Sequence, residues 1–121
     1  MTNRADSKTR LIFVFTLLVM MISSGLTSKP AFSADRPQVH TVIISGFKFT
    51  PAVLQVNAGD TIVWVNQDIV PHTATADDKS WDTGMIESQG QKELIVTKKQ
   101  SPAYFCFYHP AMKATLVMNI K

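Results

Sequence analysis

From residue 39 onward the chain is a succession of short runs rich in Val, Ile, Thr and aromatic residues, cut by turn residues and almost free of helical periodicity. Runs this short, bounded by Gly, Pro, Asn and Asp, form strands rather than helices. They fall at 39–45, 53–56, 61–66, 72–76, 92–97, 103–107 and 115–120, with Asn57-Ala58-Gly59-Asp60 as a turn between two of them. The run from Thr61 to Asn66 is apolar on both faces near its middle, the pattern of a central strand. Asp77-Asp78, Gly84 and Gly90 mark 77–91 as a loop or irregular segment. Seven to eight strands in so short a domain predict an all-β fold, a two-sheet Greek-key β-sandwich.

The first thirty-odd residues follow another logic. Arg4, Lys8 and Arg10 precede an almost purely apolar stretch, LIFVFTLLVMMI, and then Ser23-Ser24-Gly25 and Ala31-Phe32-Ser33-Ala34. Basic, apolar, then small is the order of a secretory signal peptide. Cleavage after Ser33 sets Ala31 and Ser33 at the two small positions, whereas cleavage after Ala34 would set Phe32 at one of them. A retained anchor would need about 20 apolar residues, and this stretch reaches only to Leu26 even with its serines. The expected organisation is a cleaved signal peptide over 1–33 and one domain over 34–121, without a membrane span in the mature form.

Removing that segment changes the charge balance. Residues 1–33 carry four cations and one carboxylate, which is the whole net charge of +3, so residues 34–121 sum to zero. A neutral domain gives no basis for nucleic-acid binding, which needs a basic face, and no reason to expect more than a monomer.

The chain has one cysteine, Cys106. No internal disulfide is possible, and a free thiol in an oxidising compartment is a liability unless something occupies its sulfur. Cys106, His109 and Met112 recur at a spacing of three, and His72 lies upstream in Val70-Pro71-His72-Thr73. One thiolate, two imidazoles and a thioether are the ligand set of a blue-copper electron-transfer site. Such a set suits neither copper oxidation state fully, so little has to move when the electron arrives. Taken singly, Met112 is core filler, His109 a surface histidine and Cys106 a small buried hydrophobe. Together at this spacing they are candidate metal ligands, and copper is the best match. Zinc sites use several cysteines and rarely methionine. A binuclear copper site would need a second cysteine. His40, early in the first strand, is set aside as a ligand. No nucleophile elbow or metalloprotease helix occurs, so no enzyme activity is expected.

These residues resemble the cupredoxin family of type 1 blue-copper proteins, of the plastocyanin/amicyanin-like kind. The likeness runs from Phe47, Phe49 and Pro51 through Leu54, Val56, Gly59-Asp60-Thr61 and Val63-Trp64-Val65-Asn66. It continues through Asp68, Pro71-His72-Thr73 and Trp81-Asp82-Thr83-Gly84 to Tyr104-Phe105-Cys106, His109-Pro110, Met112 and the last strand. It implies one type 1 copper ion, an eight-strand Greek-key sandwich and electron transfer in the bacterial periplasm. The Cys-x-x-His-x-x-Met loop is short, as in amicyanin. Two positions depart from amicyanin: Thr73 replaces Asn after the upstream histidine, and Tyr108 replaces Pro, leaving a backbone N–H available near the sulfur. Phe107 stands where the family often has Ser or Thr.

The function expected is a single-electron shuttle between redox proteins, a donor and an acceptor such as a dehydrogenase, cytochrome or oxidase. The alternative is copper storage or delivery. His109, in the turn between Tyr108 and Pro110, is expected to face solvent amid Pro71, Met85, Pro110 and Ala111, and His72 to be more enclosed.

Overall fold

The computed structural model describes residues 36–119. The expected signal peptide, its cleavage point and Ile120 lie outside the described residues. Eight strands make two four-stranded sheets. They are β1 (Val39–Ile44), β2 (Phe49–Thr50), β3 (Val53–Val56), β4 (Thr61–Asn66), β5 (Thr75–Ala76), β6 (Gln91–Ile95), β7 (Ala103–Phe105) and β8 (Lys113–Met118). One sheet has the order β2-β1-β4-β6 and the other β3-β8-β7-β5. The chain changes sheet after β2, β3, β4, β5 and β6. Those crossings leave β1 parallel to β4 and β3 parallel to β8, while the other pairs are antiparallel. Among the described residues no helix is long and apolar enough to cross a membrane.

Alternation builds the core. Val42 and Ile44 of β1, Ile62 and Trp64 of β4, and Ala114 and Leu116 of β8 point inward, two residues apart. β4 alternates more cleanly than expected: Ile62, Trp64 and Asn66 are buried, while Thr61, Val63 and Val65 are only half-buried. Trp64 is the centre of an aromatic group, with Tyr104 edge-on at 5.9 Å and Trp81 tilted at 5.9 Å. Trp64 Nε1 donates to the Tyr104 hydroxyl at 3.4 Å. Burial pushes the Tyr104 phenol up to about 12.

Three expected strands are redrawn. Residues 72–76 form a strand only at Thr75–Ala76, and His72 makes an isolated bridge to Ile86. The reason is local: the Asn66 side chain takes the Val70 carbonyl, and Pro71 has no N–H to give a ladder. The run 103–107 stops at Phe105, because Cys106 N–H turns to the Met112 carbonyl and Phe107 N–H to the Thr73 hydroxyl. The last strand starts earlier, at Lys113. β2 is additional: it folds back on β1 through Gly46-Phe47, too short to show in the sequence pattern. The segment expected to be irregular, 77–91, contains no strand up to Gly90, and β6 takes its last residue, Gln91.

Asp60 fastens the end of β4 opposite Asn66. Its carboxylate is 1% exposed and accepts from Gln38 N–H at 2.9 Å, Asn57 N–H at 2.8 Å and His40 Nε2 at 2.8 Å. Burial alone would raise its pKa, but the Asn57 and Gln38 N–H groups and the His40 ring outweigh it, and the carboxyl lies below its usual 3.8. A carboxyl held lower in the folded than in the unfolded state stabilises fully above the unfolded value, and that contribution is lost as pH falls through the folded one. Asp60→Asn turns an amide donor toward other donors, at an expected cost of about 2 kcal/mol at pH 7. Urea midpoints should show the gap between wild type and variant narrowing from pH 7 to pH 3. A gap that stays constant would mean that the carboxylate charge is not its source.

Candidate metal centre

His72, Cys106 and His109 converge. Cys106 Sγ lies 3.6 Å from Nδ1 of His72 and 3.6 Å from Nδ1 of His109, and the two Nδ1 atoms are 3.2 Å apart. All three donor atoms fall within 4.8 Å of one another. Cys106 and His72 are fully buried and His109 is half-buried. Met112 is buried in the same loop. That loop is tied to itself: His109 N–H donates to the Cys106 carbonyl, Met112 N–H to the His109 carbonyl, and Cys106 N–H to the Met112 carbonyl, at 2.9–3.1 Å. The loop is therefore a compact turn clipped at both ends, and Pro110 limits its φ freedom.

His72 is held from behind. Asp68 Oδ2 meets His72 Nε2 at 2.9 Å. A carboxylate only accepts, so Nε2 carries the hydrogen and Nδ1 keeps its lone pair toward the sulfur, the orientation a metal ligand needs. Asp68 also accepts from Gly46 N–H at 2.7 Å and Phe47 N–H at 3.0 Å. Burial pushes the Asp68 carboxyl up, and the Phe47, Gly46 and His72 hydrogen bonds bring it below the usual value.

Those N–H contacts explain an unusual backbone. Gly46 and Phe47 both have positive φ, 59° and 60°, as a primed two-residue hairpin turn requires. Glycine takes this freely, whereas for phenylalanine it costs about 1 kcal/mol or more. The Asp68 carboxylate offsets that cost and holds the Phe47 ring over the centre. Phe47 stands edge-on to His109 at 4.9 Å and to His72 at 5.5 Å, and is half exposed.

Asn66 organises the loop that carries Asp68 and His72. It is fully buried; its Nδ2 shares two hydrogens among three carbonyls, those of Val70 at 2.8 Å, Ile86 at 3.1 Å and Glu87 at 3.1 Å, and its Oδ1 accepts from Asp68 N–H at 2.9 Å. The two halves of the centre meet at Thr73. Its N–H points to Cys106 Sγ at 3.3 Å and its hydroxyl accepts from Phe107 N–H at 2.8 Å. The N–H at the sulfur thus comes from Thr73, across the sandwich end, and not from Tyr108. His40, set aside in the sequence, spends Nε2 on Asp60. Phe47 has no role legible in the sequence beyond its place in the family pattern; the Gly before it is the one turn signal there.

A buried cysteine sulfur, the inward-facing Nδ1 atoms of two imidazoles and a thioether in the same loop fit copper, which accepts soft sulfur and imidazole together. Comparison with known proteins agrees. Residues 12–118 match the family described as the Cupredoxin-like domain. The chain is 31% identical to a plastocyanin of Nostoc punctiforme over 88% of its own length and 87% of the relative's. It is 26% identical to an amicyanin of Paracoccus versutus over 77% of its length and 75% of the relative's. Among solved structures, a Cu(I) form of an amicyanin variant superposes with a TM-score of 0.60 at 26% identity, covering 67% of this chain and 82% of that one. A copper-containing nitrite reductase from Thermus scotoductus gives 0.61 at 25% identity, over 71% of this chain but 23% of the enzyme. The chain belongs to the cupredoxin family, and its cofactor is one type 1 copper ion.

Proposed function

We propose that the protein is a periplasmic blue-copper carrier of single electrons, with copper held by His72 Nδ1, Cys106 Sγ, His109 Nδ1 and the thioether of Met112. Copper supplies a metal that alternates between Cu(I) and Cu(II). The residues supply the rest. Asp68 fixes the His72 tautomer, Thr73 N–H faces the thiolate, and the clipped loop keeps Cys106, His109 and Met112 from reorganising when charge changes. The observation that carries this reading is the convergence of two Nδ1 atoms and a fully buried cysteine sulfur, with one imidazole half-exposed. His109 is then the route for the electron. Phe47 stands edge-on to it and Pro110 and Ala111 follow it in the chain, all exposed and apolar. A neutral domain steers partners weakly, so a small apolar contact suits an encounter with a donor or acceptor that must end quickly. Export through removal of residues 1–33 completes the reading, supported by the basic-apolar-small order of that segment.

Copper loading followed by redox titration tests it. The Cu(II) protein should show an intense visible thiolate band that bleaches with one electron and returns on oxidation. A Cu(I) chelator should remove little metal across repeated cycles. Loss of copper to the chelator on first reduction would favour delivery over electron transfer.

A further inference from the structure

The Trp81-Asp82-Thr83-Gly84 segment makes no hydrogen bond to the four proposed ligands, yet a chain of hydrogen bonds leads from it to Phe107, the residue after Cys106. Phe107 N–H donates to Thr73 Oγ1 at 2.8 Å, Thr73 Oγ1 and Thr75 Oγ1 are 2.9 Å apart, and Thr75 Oγ1 donates to Asp82 Oδ2 at 3.1 Å. Both threonines are buried. Asp82 Oδ1 accepts from Gly84 N–H, and an isolated bridge pairs Thr75 with Asp82.

The direction of every hydrogen in this chain is fixed. A carboxylate can only accept, so the Thr75 hydroxyl must spend its single hydrogen on Asp82. Thr75 then accepts from the Thr73 hydroxyl. Thr73, having spent its hydrogen, presents lone pairs to Phe107 N–H. The sequence of donors ends at the peptide that follows the thiolate ligand. Thr73 also offers its own N–H to Cys106 Sγ, so a shift of Thr73 moves two contacts at once.

We propose that Asp82 is a positioning residue for the copper centre, acting through Thr75 and Thr73 to hold the Thr73 N–H on the Cys106 sulfur and so to set the reduction potential. The inference rests on copper bound at Cys106. An N–H donor at a thiolate draws charge from the sulfur and leaves it a poorer donor to Cu(II), which favours Cu(I). Releasing Thr73 should therefore lower the potential. Simple electrostatics gives the opposite sign for Asp82, because removing a negative charge favours the more reduced, less positive metal. The two effects can be separated by direction alone.

Asp82→Asn, Thr75→Val and Thr75→Ser are the test, with potentials and visible spectra measured on the copper-loaded proteins. In Asp82→Asn, an amide turned to satisfy Gly84 N–H presents a donor to Thr75 and reverses the chain, leaving the Thr73 hydrogen without an acceptor. Asp82→Asn and Thr75→Val should both lower the potential and shift the thiolate band, while Thr75→Ser, which keeps the hydroxyl, should match wild type. A rise in potential in Asp82→Asn, or wild-type potentials in both disrupting variants, would overturn the proposal. Asp82 lies at the surface, so its variant reports even if Thr75→Val does not fold. Exchange of the Phe107 amide in the metal-free protein gives a reading independent of copper. It should quicken about tenfold in Asp82→Asn, because Thr73 must turn to find an acceptor for its own hydrogen and so gives up the Phe107 contact, one ordinary hydrogen bond; an unchanged rate rejects the chain itself. Absence of the visible band in wild type would instead reject the copper ligation, and the exchange result would stand apart from it.

Discussion

Cys106→Ser is expected to remove the visible charge-transfer band of the copper-loaded protein completely while leaving the sandwich folded. The thiolate is the only sulfur anion the chain can supply, because there is one cysteine. Serine is nearly the same size, and its hydroxyl would meet the Thr73 N–H that now lies 3.3 Å from Sγ. The buried oxygen is thus partnered, and the metal-free variant should lose no more than about 1 kcal/mol. Copper added to the variant finds two imidazoles and no thiolate, so any residual binding should be weak and pale. Visible absorption and near-UV circular dichroism measured together decide the matter. A retained intense band with a native dichroism spectrum would show that Cys106 is not the source of the colour.

Asn66→Ala should have the largest effect on stability. The substitution removes the Nδ2 and Oδ1 contacts from a fully buried position and leaves the Val70 carbonyl and the Asp68 N–H short of a partner. Ile86 and Glu87 are less affected, since their carbonyls also accept from His72 N–H and Gly90 N–H. An expected loss of about 3 kcal/mol corresponds, in a domain of this size, to a fall in Tm of about 15 °C. The same change frees the loop carrying Asp68 and His72, so copper affinity should drop by about 10- to 100-fold, the usual cost of losing support behind a ligand. Calorimetry of the metal-free protein and competition with a copper chelator measure the two effects separately. A Tm within 3 °C of wild type would show that backbone pairing alone holds the loop.

The sequence by itself determined the candidate ligand set and the all-β fold class. Cys106, His109 and Met112 lie in one short segment, where spacing nearly fixes proximity, and short runs of Val, Ile, Thr and aromatic residues near 39–45, 61–66 and 115–120 mark strands of a sandwich. Both signals are local, so they survive in a linear reading. Parts of the centre that depend on residues far apart did not. The hydrogen bond to the sulfur spans 33 residues and the Asp68 contacts to the Gly46-Phe47 turn span about 20. Nothing in Thr73, Asp68 or Phe47 alone marks those partners. His72 was placed at the start of a strand because His-Thr-Ala-Thr-Ala has strand composition. In the fold its position follows from Asn66, whose side chain replaces the ladder with a network to three carbonyls. A side-chain network of this kind has no period and no composition. It exists only once two sheets are packed and their ends brought within 3 Å, which is why tertiary structure alone decided how the ligands are held.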